Sequence, residues 1–390
     1  MKFSPLVERI GGEGADAWLT HYDASAALER GEDVIILSVG DPDLETPPAV
    51  VAKAIERIQA GDTHYCPAAG RDAIRTTIAA FHEKRTGQST RLENVVYLSG
   101  AQNALFVASM CIAGPGDEII SFDPMYPTYP ATLQASGARM IRAPTNGNFR
   151  PDVAALAALV NEHTRAIVWA TPNNPSGVIL NESELGVIGR LAEQHDLWLI
   201  SDEVYAGLAP GGHIPGLAAR IPERVITLGS LSKSHAMTGW RAGWLVGPRE
   251  LAAHAEALVM CMLFGLPGFI QEAAITALSI APEAERRIRD YCESRRARMV
   301  SGLAETPRIR CVVPEAGMFM LVDVRGTGLT GYEFMRELYK SQRVSVLDGA
   351  AFGRETGGFV RVCFATDEGS VDEGCKRIRR FCTQLDDRQV

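Results

Sequence analysis

Several features that mark particular protein classes are missing from this 390-residue sequence. No two of its eight cysteines form a CxxC pair, which argues against a zinc ribbon or a dithiol redox centre, and no metal site is expected. The cysteines are scattered through apolar stretches, so we expect buried, reduced thiols in a cytoplasmic protein. The opening segment MKFSPLVERIGGEGADAW has no apolar core of the kind found in a signal peptide.

Long hydrophobic runs and a basic surplus are also missing. The longest apolar run covers residues 257–270 and is interrupted by Gly265, Pro267 and Gly268, so it is too short for a bilayer span. It predicts a buried helix end followed by a turn. With 39 basic and 47 acidic residues the net charge is −8, which argues against general nucleic-acid binding. A small anion in a local positive pocket stays possible.

What the sequence does contain is an alternation of short apolar β-rich runs with helical patterns. NVVYLSG, DEIISFD, RAIVWATP, LWLISDEVY, RVITLGS and GWLVGP predict strands, and AQNALFVASMCIA and ESELGVIGRLAEQHD predict helices. Continuous apolar strands separated by helices are typical of a mostly parallel sheet that is buried on both faces. Such sheets bind ligands beyond the carboxyl ends of their strands.

The domain organisation follows from a change of pattern near residue 284. A helix rich in Arg and Glu precedes GMFMLVDV and FVRVCFA, which predicts a smaller α+β domain over 284–390. We expect a large domain over 47–283, and an N-terminal segment over 1–46 that joins the small domain. The fold class is therefore α/β, with a large, mostly parallel sheet and a smaller α+β domain.

The segment SLSKSHAMTGWRAG is the strongest sign of chemistry. It presents Lys233 in a polar loop after a strand, with Arg241 eight residues later. A lysine that forms a Schiff base must lose its proton, which desolvation or cationic neighbours favour. Arg241, Ser230 and Ser232 offer a cation and hydroxyls to a phosphate. By itself the segment is equally compatible with a solvated loop.

Two further motifs follow strands. In DEVY, Asp202 stands at the end of an apolar strand, where a carboxylate needs a cationic partner such as a pyridinium nitrogen. Tyr205 is placed to donate to a ring oxygen, although an Asp here is also a common helix N-cap. In TPNNPSG, Asn174 has an amide for a cofactor oxygen and a substrate carboxylate, within residues that also favour a turn.

Three weaker signals complete the set. In LSGAQNAL a strand passes through Gly100 into a helix, whose first N–H groups, at Ala101 and Gln102, suit a phosphate. Tyr126 in DPMYPTY is a candidate for stacking on an aromatic cofactor, or for ordinary loop packing. Arg361 lies within the apolar strand FVRVCFA, where a guanidinium needs an anion: a substrate carboxylate or an internal salt bridge.

Taken in this order, the motifs resemble fold-type I pyridoxal-5′-phosphate (PLP) enzymes, specifically the class I/II aminotransferases with the aspartate aminotransferase-like fold. The likeness covers nearly the whole chain, through VGDPD, THYCPAAG, LSGAQNAL, DPMYPTY, TPNNPSG, DEVY, SLSKSHAMTGWRAGW, GMF and VRVCFA. Within the family, GEGADAW, DTHYCPAAG, CMLFG and RVSVLDGAAFG are most similar to arginine–pyruvate transaminases.

The resemblance implies a role for each matching residue. Lys233 is implied to carry PLP and to shuttle a proton, and Asp202 to pair with the pyridine nitrogen. Tyr205 and Asn174 are implied at the ring oxygen, with Tyr126 over the ring face, where some relatives have Trp. The residues implied around the phosphate are Gly100, Ala101, Gln102, Ser230, Ser232 and Arg241. Arg361, with Gly40 close beside it, is implied to take the α-carboxylate, and Tyr65 to reach the phosphate of the neighbouring subunit, which implies a homodimer.

The implied reaction moves an amino group from an L-amino acid to a 2-oxo acid, with no nucleic-acid or membrane partner. Arginine and pyruvate are the substrates that the closer likeness implies; an aspartate, aromatic or broad-range aminotransferase and a C–S β-lyase are the alternatives. A regulator of this fold would carry an N-terminal DNA-binding domain, for which about forty residues before the sheet leave no room. An arginine enzyme needs a distal carboxylate, for which Glu13 and Asp16 are candidates, or merely part of a solvated loop.

Overall fold

The computed structural model describes residues 1–10 and 15–387. Its α-helices are α1 (Pro5–Arg9), α2 (Leu19–Glu29), α3 (Pro48–Gln59), α4 (Asp72–Thr86), α5 (Ala101–Ile112), α6 (Tyr129–Gln134), α7 (Val153–Leu159), α8 (Glu182–His195), α9 (Arg249–Met262), α10 (Gly268–Ser279), α11 (Ala281–Leu303), α12 (Gly331–Gln342) and α13 (Glu368–Asp387). Its strands are β1 (Ile35–Ile36), β2 (Val95–Leu98), β3 (Glu118–Phe122), β4 (Arg139–Ala143), β5 (Thr164–Ala170), β6 (Trp198–Asp202), β7 (Val225–Ser230), β8 (Gly243–Val246), β9 (Arg310–Val312), β10 (Phe319–Asp323), β11 (Val344–Ser345), β12 (Leu347–Asp348) and β13 (Phe359–Cys363).

Seven strands form the large sheet, in the order β2-β8-β7-β6-β5-β3-β4. Neighbouring strands from β7 to β4 are parallel, and β8 is antiparallel to both β2 and β7. Strands β2, β3, β7 and β8 are buried along their whole length, as expected for a sheet covered by helices on both faces. The predicted strands and the mostly parallel sheet are confirmed.

Local signals in the sequence set the ends of helix α8. The Asn181 side chain accepts a hydrogen bond from the N–H of Glu184, whose carboxylate accepts one from the N–H of Asn181. This capping box satisfies donors at the start of the helix. The last residue of the helix is His195, and the C-cap residue that follows, Asp196, adopts a left-handed conformation (φ 55°). Helix α8 therefore returns the chain to the end of the sheet at which the parallel strand β6 begins.

A second sheet is antiparallel, in the order β12-β13-β10-β9. Close to it, β1 pairs in parallel with β11, so Ile35 and Ile36 near the N-terminus lie opposite Val344 and Ser345. Leu37 packs in the same apolar cluster as strands β10 and β13. This arrangement brings the chain around residue 40 next to Arg361 on β13.

The end of helix α9 differs from the expected buried helix end. The turn after Met262 is present, but Met262, Leu263 and Phe264 are exposed, and so is Cys261. The expectation of a buried thiol is wrong for Cys261, because α9 turns only its opposite face, with Ala255 and Val259, toward the sheet. All eight cysteines are free thiols. Within the described ranges, no helix is both long and apolar enough to cross a membrane.

Candidate active site

A cavity of about 210 Å³ lies where the large sheet's parallel strands end and the second sheet approaches. Strands β5, β6 and β7 contribute residues at or just beyond their carboxyl ends, as parallel sheets commonly do for ligand sites. The residues that line the cavity include Trp18, Gly40, Ala101, Gln102, Tyr126, Tyr129, Asn174, Asp202, Tyr205, Ser230, Ser232, Lys233, Thr238, Arg241, Phe319 and Arg361.

Lys233 projects into this cavity from the loop after β7. Its Nζ donates a hydrogen bond to the carbonyl oxygen of Gly40. Burial lowers the pKa of the Lys233 ammonium, and the nearby guanidinium groups of Arg361 and Arg241 lower it further, against the opposing effect of Asp41. A lysine in this environment loses its proton more readily than one in water, as a nucleophilic amine requires.

Asp202 ends strand β6 and is almost wholly buried. Its Oδ2 accepts a 2.7 Å hydrogen bond from the Tyr129 hydroxyl, and its Oδ1 accepts a 3.1 Å bond from the N–H of Val204. Burial raises the pKa of Asp202, and these two donors act against that increase. No basic side chain of the described residues forms an ion pair with this carboxylate, so the carboxylate is free to pair with a bound cation.

Arg361, in the middle of β13, is the largest fully buried side chain of the described chain. Its Nη1 donates to Oδ1 of Asn174 at 3.0 Å, and its Nη2 donates to the carbonyl of Ser38 at 2.6 Å. Its Nε has no hydrogen-bond partner among the described residues, and none of their carboxylates pairs with it. Burial lowers the pKa of this guanidinium. The internal salt bridge considered from the sequence is therefore not found among the described residues, and an unpaired buried cation is costly.

Aromatic rings fix the orientation of Arg361. Its guanidinium carbon lies 3.9 Å from the centre of the Phe319 ring and 4.7 Å from that of Phe352. A Cβ on Gly40 would lie 2.2 Å from Phe319, so only glycine allows the chain to pass this close. The described geometry therefore brings Gly40, Lys233 and Arg361 together, as the motifs predict.

The start of helix α5 contributes Ala101 and Gln102 to the lining of the cavity. Gly100 precedes the helix with φ 85°, and a Cβ there would lie 2.5 Å from Nη2 of Arg241. Arg241 is itself left-handed (φ 54°) and donates to the carbonyls of Thr238 and Ser99. Ser230 Oγ lies 2.9 Å from Ser232 Oγ. Free helix N–H groups, hydroxyls and a guanidinium in one place make a site for a phosphate.

Three more predicted residues line the cavity. Tyr126 is partly buried, with its ring in edge contact with that of Tyr129. Tyr205 is buried, its hydroxyl 3.5 Å from Nδ2 of Asn174. The Gln102 side chain is hydrogen-bonded to the hydroxyl groups of Thr128 and Thr132. Its backbone N–H is therefore the group that can donate a hydrogen bond to an anion.

Tyr65 is a predicted residue that the structure does not bring into this cavity. Tyr65 is 85% exposed and contacts Phe264 with a ring-centroid distance of 4.7 Å, away from the cavity of its own chain. Glu13 lies outside the described residues, and of Asp16 only the backbone is described.

Sequence reasoning missed Tyr129 and Trp18. Tyr129 stands three residues after Tyr126 in DPMYPTY, but nothing in that motif shows that its hydroxyl meets Asp202. Trp18, the last residue of GEGADAW, lines the cavity, and its ring contacts His21, whose Nδ1 lies 2.9 Å from Ser38 Oγ. An aromatic residue in the N-terminal segment was the available signal.

Comparison with known proteins agrees with this geometry. Residues 32–378 match the family model "Aminotransferase class I and II". The chain is 44% identical to arginine–pyruvate transaminase of Pseudomonas aeruginosa over 99% of both chains, and 32% identical to an aspartate aminotransferase of Pyrococcus horikoshii over 90% of both. A structure of a Thermus thermophilus aspartate aminotransferase mutant superposes with a TM-score of 0.92 at 27% identity, covering 97% of this chain and 99% of that one.

These matches confirm the resemblance, the aspartate aminotransferase-like fold and the enzyme class that the motifs imply. The family is PLP-dependent, and its members act on amino acids and 2-oxo acids. The chain belongs to the class I and II aminotransferase family.

Proposed function

We propose that this aminotransferase holds PLP on Lys233 and moves the amino group of L-arginine to pyruvate. The observation that carries the proposal is Arg361: a fully buried guanidinium, without a carboxylate partner in the described chain, that lines the same cavity as Lys233. The α-carboxylate shared by amino acids and 2-oxo acids supplies the missing anion. Asn174 and the Ser38 carbonyl hold the guanidinium in place for it.

The residues present fit PLP. At one end, Arg241 and the start of α5 suit the phosphate, and Gly243 leaves the backbone of Gly100 close by, since a Cβ on Gly243 would lie 2.6 Å from it. At the other, Asp202 is a buried carboxylate with two neutral donors and no described cation, which suits a pyridinium nitrogen. Tyr126 lines the same cavity.

When bound, PLP supplies an electron sink for the carbanion formed at the substrate Cα. The chain's own residues do the rest. Arg361 and Asn174 would orient the substrate by its carboxylate, and Nζ of Lys233, whose pKa burial lowers, would hold and move the proton of the substrate Cα. Tyr205 would be the donor to the ring oxygen of PLP, because desolvation raises the pKa of its buried hydroxyl and keeps the proton on it.

Two observations support arginine as the donor. Among the described residues of this chain that line the cavity, the only basic ones are Lys233, Arg241 and Arg361, and each has a role above. This subunit therefore offers no further cation for the distal carboxylate of aspartate. Trp18 adds an indole to the wall, and indoles attract guanidinium groups. The 44% identity to a protein named for arginine and pyruvate supports the same choice. We further propose Glu13 as the distal carboxylate.

We also propose a cytoplasmic homodimer whose active sites are shared. Tyr65 is exposed beside Phe264, where it is free to reach a neighbouring subunit's phosphate. Val51, Ile55 and Ile58 form an exposed apolar stripe on α3, which suits burial against a second copy. The eight free thiols are typical of a reducing compartment.

Borohydride reduction tests the attachment of PLP. The purified protein should be yellow, and peptide mapping after reduction should place the label on Lys233. A label on another lysine, or none, would contradict the assignment.

An amino-donor screen with pyruvate and with 2-oxoglutarate tests the substrates. Arginine with pyruvate should give the highest kcat/KM, and Glu13→Gln should raise the KM for arginine more than that for alanine, which has no distal group. Turnover of other donors but not arginine would leave the broader alternatives. Release of pyruvate and ammonia from cystathionine without an acceptor would instead indicate a C–S β-lyase.

A further inference from the structure

The contact between Tyr129 and Asp202 lies outside every role assigned above. Tyr129 is the first residue of helix α6, and its side chain is 2% exposed. Its hydroxyl donates to Oδ2 of Asp202 at 2.7 Å, and the helix that carries it belongs to a different part of the sequence, 73 residues away. The bond therefore connects the DPMYPTY loop to the end of strand β6.

Asp202 depends on few donors for its charge. One of them, the N–H of Val204, comes from its own turn, and the other is Tyr129. Burial favours the neutral acid, and both donors favour the carboxylate. A hydrogen bond to a charged, desolvated acceptor is among the stronger ones in proteins. Removing the Tyr129 hydroxyl would leave Oδ2 without its donor while the carboxyl stays buried.

We propose that Tyr129 is a positioning residue that keeps Asp202 ionised and directed at the ring nitrogen of the cofactor. The proposal rests on the proposed PLP site. Tyr129 touches the carboxylate, and only through it does the hydroxyl affect the reaction. Without the hydroxyl, Asp202 becomes a better proton acceptor, takes a larger share of the proton from the ring nitrogen, and the ring withdraws electrons less strongly.

A purely structural role for Tyr129 is the alternative. Its ring packs among Met125 and Leu133 and makes an edge contact with Tyr126, 6.3 Å between centroids. Phenylalanine keeps all of these contacts. Tyr129→Phe thus separates the hydroxyl from the ring.

Tyr97 offers a matched control. It is also a buried tyrosine, 1% exposed, on strand β2, and no described group is hydrogen-bonded to its hydroxyl. It packs with Trp244 and Ile74 on the other side of the large sheet. Tyr97→Phe therefore removes an equally buried hydroxyl without touching Asp202.

The test compares holoenzymes of wild type, Tyr129→Phe and Tyr97→Phe. For Tyr129→Phe, kcat should fall by about tenfold, the change expected for one charge-assisted hydrogen bond, with the KM for the donor nearly unchanged. The pKa of the visible absorbance band should rise by about 1 for the same reason. The dissociation constant for PLP, measured by adding PLP to apoprotein, should increase. Tyr97→Phe should match wild type in all three.

Combination with Asp202→Asn shows whether Tyr129 acts through the carboxylate. In that background, Tyr129→Phe should change neither the absorbance pKa nor kcat further. Tyr129→His, which keeps a ring and an N–H donor, is a second variant and should retain more of the wild-type absorbance pKa than Tyr129→Phe.

A Tyr129→Phe enzyme that titrates like wild type, with kcat within twofold, would overturn the proposal. Wild-type protein that binds no PLP at Lys233 would overturn the proposed function instead, so the two failures are distinguishable.

Discussion

Asp202 and Glu203 are neighbours at the end of one strand, yet they serve two different regions of the molecule. Asp202 faces the cavity that contains Lys233, with Tyr129 and Val204 as donors. Glu203 lines a cavity of about 20 Å³ on the other side of the sheet, where its carboxylate is 3.0 Å from Ser201 Oγ. Successive side chains of a strand point to opposite faces, which separates the two acids.

Burial raises the pKa of both acids, so a raised pKa does not distinguish a functional acid from a structural one. Desolvation brings the pKa of Glu203 to about 7, despite the opposing charge of Arg85. Arg85 is engaged by Glu285 at 2.5 Å and lies over the Phe81 ring. The smaller cavity, of about 20 Å³, has room for no more than a water, whereas the larger one, of about 210 Å³, is the site proposed for the cofactor. The space beside each acid, rather than its acidity, separates their roles.

The largest effect should come from neutralising each acid in turn. We expect Asp202→Asn to keep the fold and lower kcat by about a thousandfold, roughly 4 kcal/mol of transition-state stabilisation, because a neutral amide cannot hold the ring nitrogen protonated. Glu203→Gln should stay within about threefold of wild type, since it leaves the cavity unchanged. Steady-state kinetics with saturating donor measure both. Equal losses would abolish the distinction between the two sides of the sheet.

A smaller effect should come from Arg361→Lys, which keeps a positive charge on the cofactor side. A lysine cannot pair with a carboxylate in two places or span Asn174 and the Ser38 carbonyl, so kcat/KM should fall by about a hundredfold for both donor and acceptor. PLP content should remain at the wild-type level. If the variant loses PLP together with activity, the result would indicate that Arg361 binds the cofactor rather than the substrate.

The smallest effect concerns stability on the other side of the sheet. Glu203 has a folded-state pKa of about 7 against 4.5 for the free side chain, so between these pH values the folded state binds more protons than the unfolded one. Stability therefore decreases as pH rises through this window and the loss is complete above it. Glu203 is only partly buried, so we expect Glu203→Gln to gain about 1–2 kcal/mol relative to wild type between pH 5 and pH 8. Denaturant unfolding of both proteins at pH 5 and pH 8 checks this. If the difference in unfolding free energy between Glu203→Gln and wild type is the same at both pH values, Glu203 does not cause the pH dependence of stability.

Much of this site was predictable because strands and turns have recognisable patterns in the local sequence. Apolar runs gave the strands, and the polar residues after them, Asn174, Asp202 and Lys233, had to meet at one edge of a parallel sheet. Tyr129 was not predictable, since the direction of a loop tyrosine depends on tertiary packing. The exposed end of α9 was missed because an apolar run by itself does not distinguish a buried helix face from an exposed one.

Arg361 also has a consequence for synthesis of the protein. Its two hydrogen-bond partners, Asn174 and Ser38, precede it by 187 and 323 residues. A nascent chain that has left the ribosome as far as β8 already contains Lys233, Asn174 and every strand of the large sheet, but not Arg361. Because Arg361 is the group proposed for the substrate carboxylate, we expect no turnover of amino acids from a chain that ends before β13.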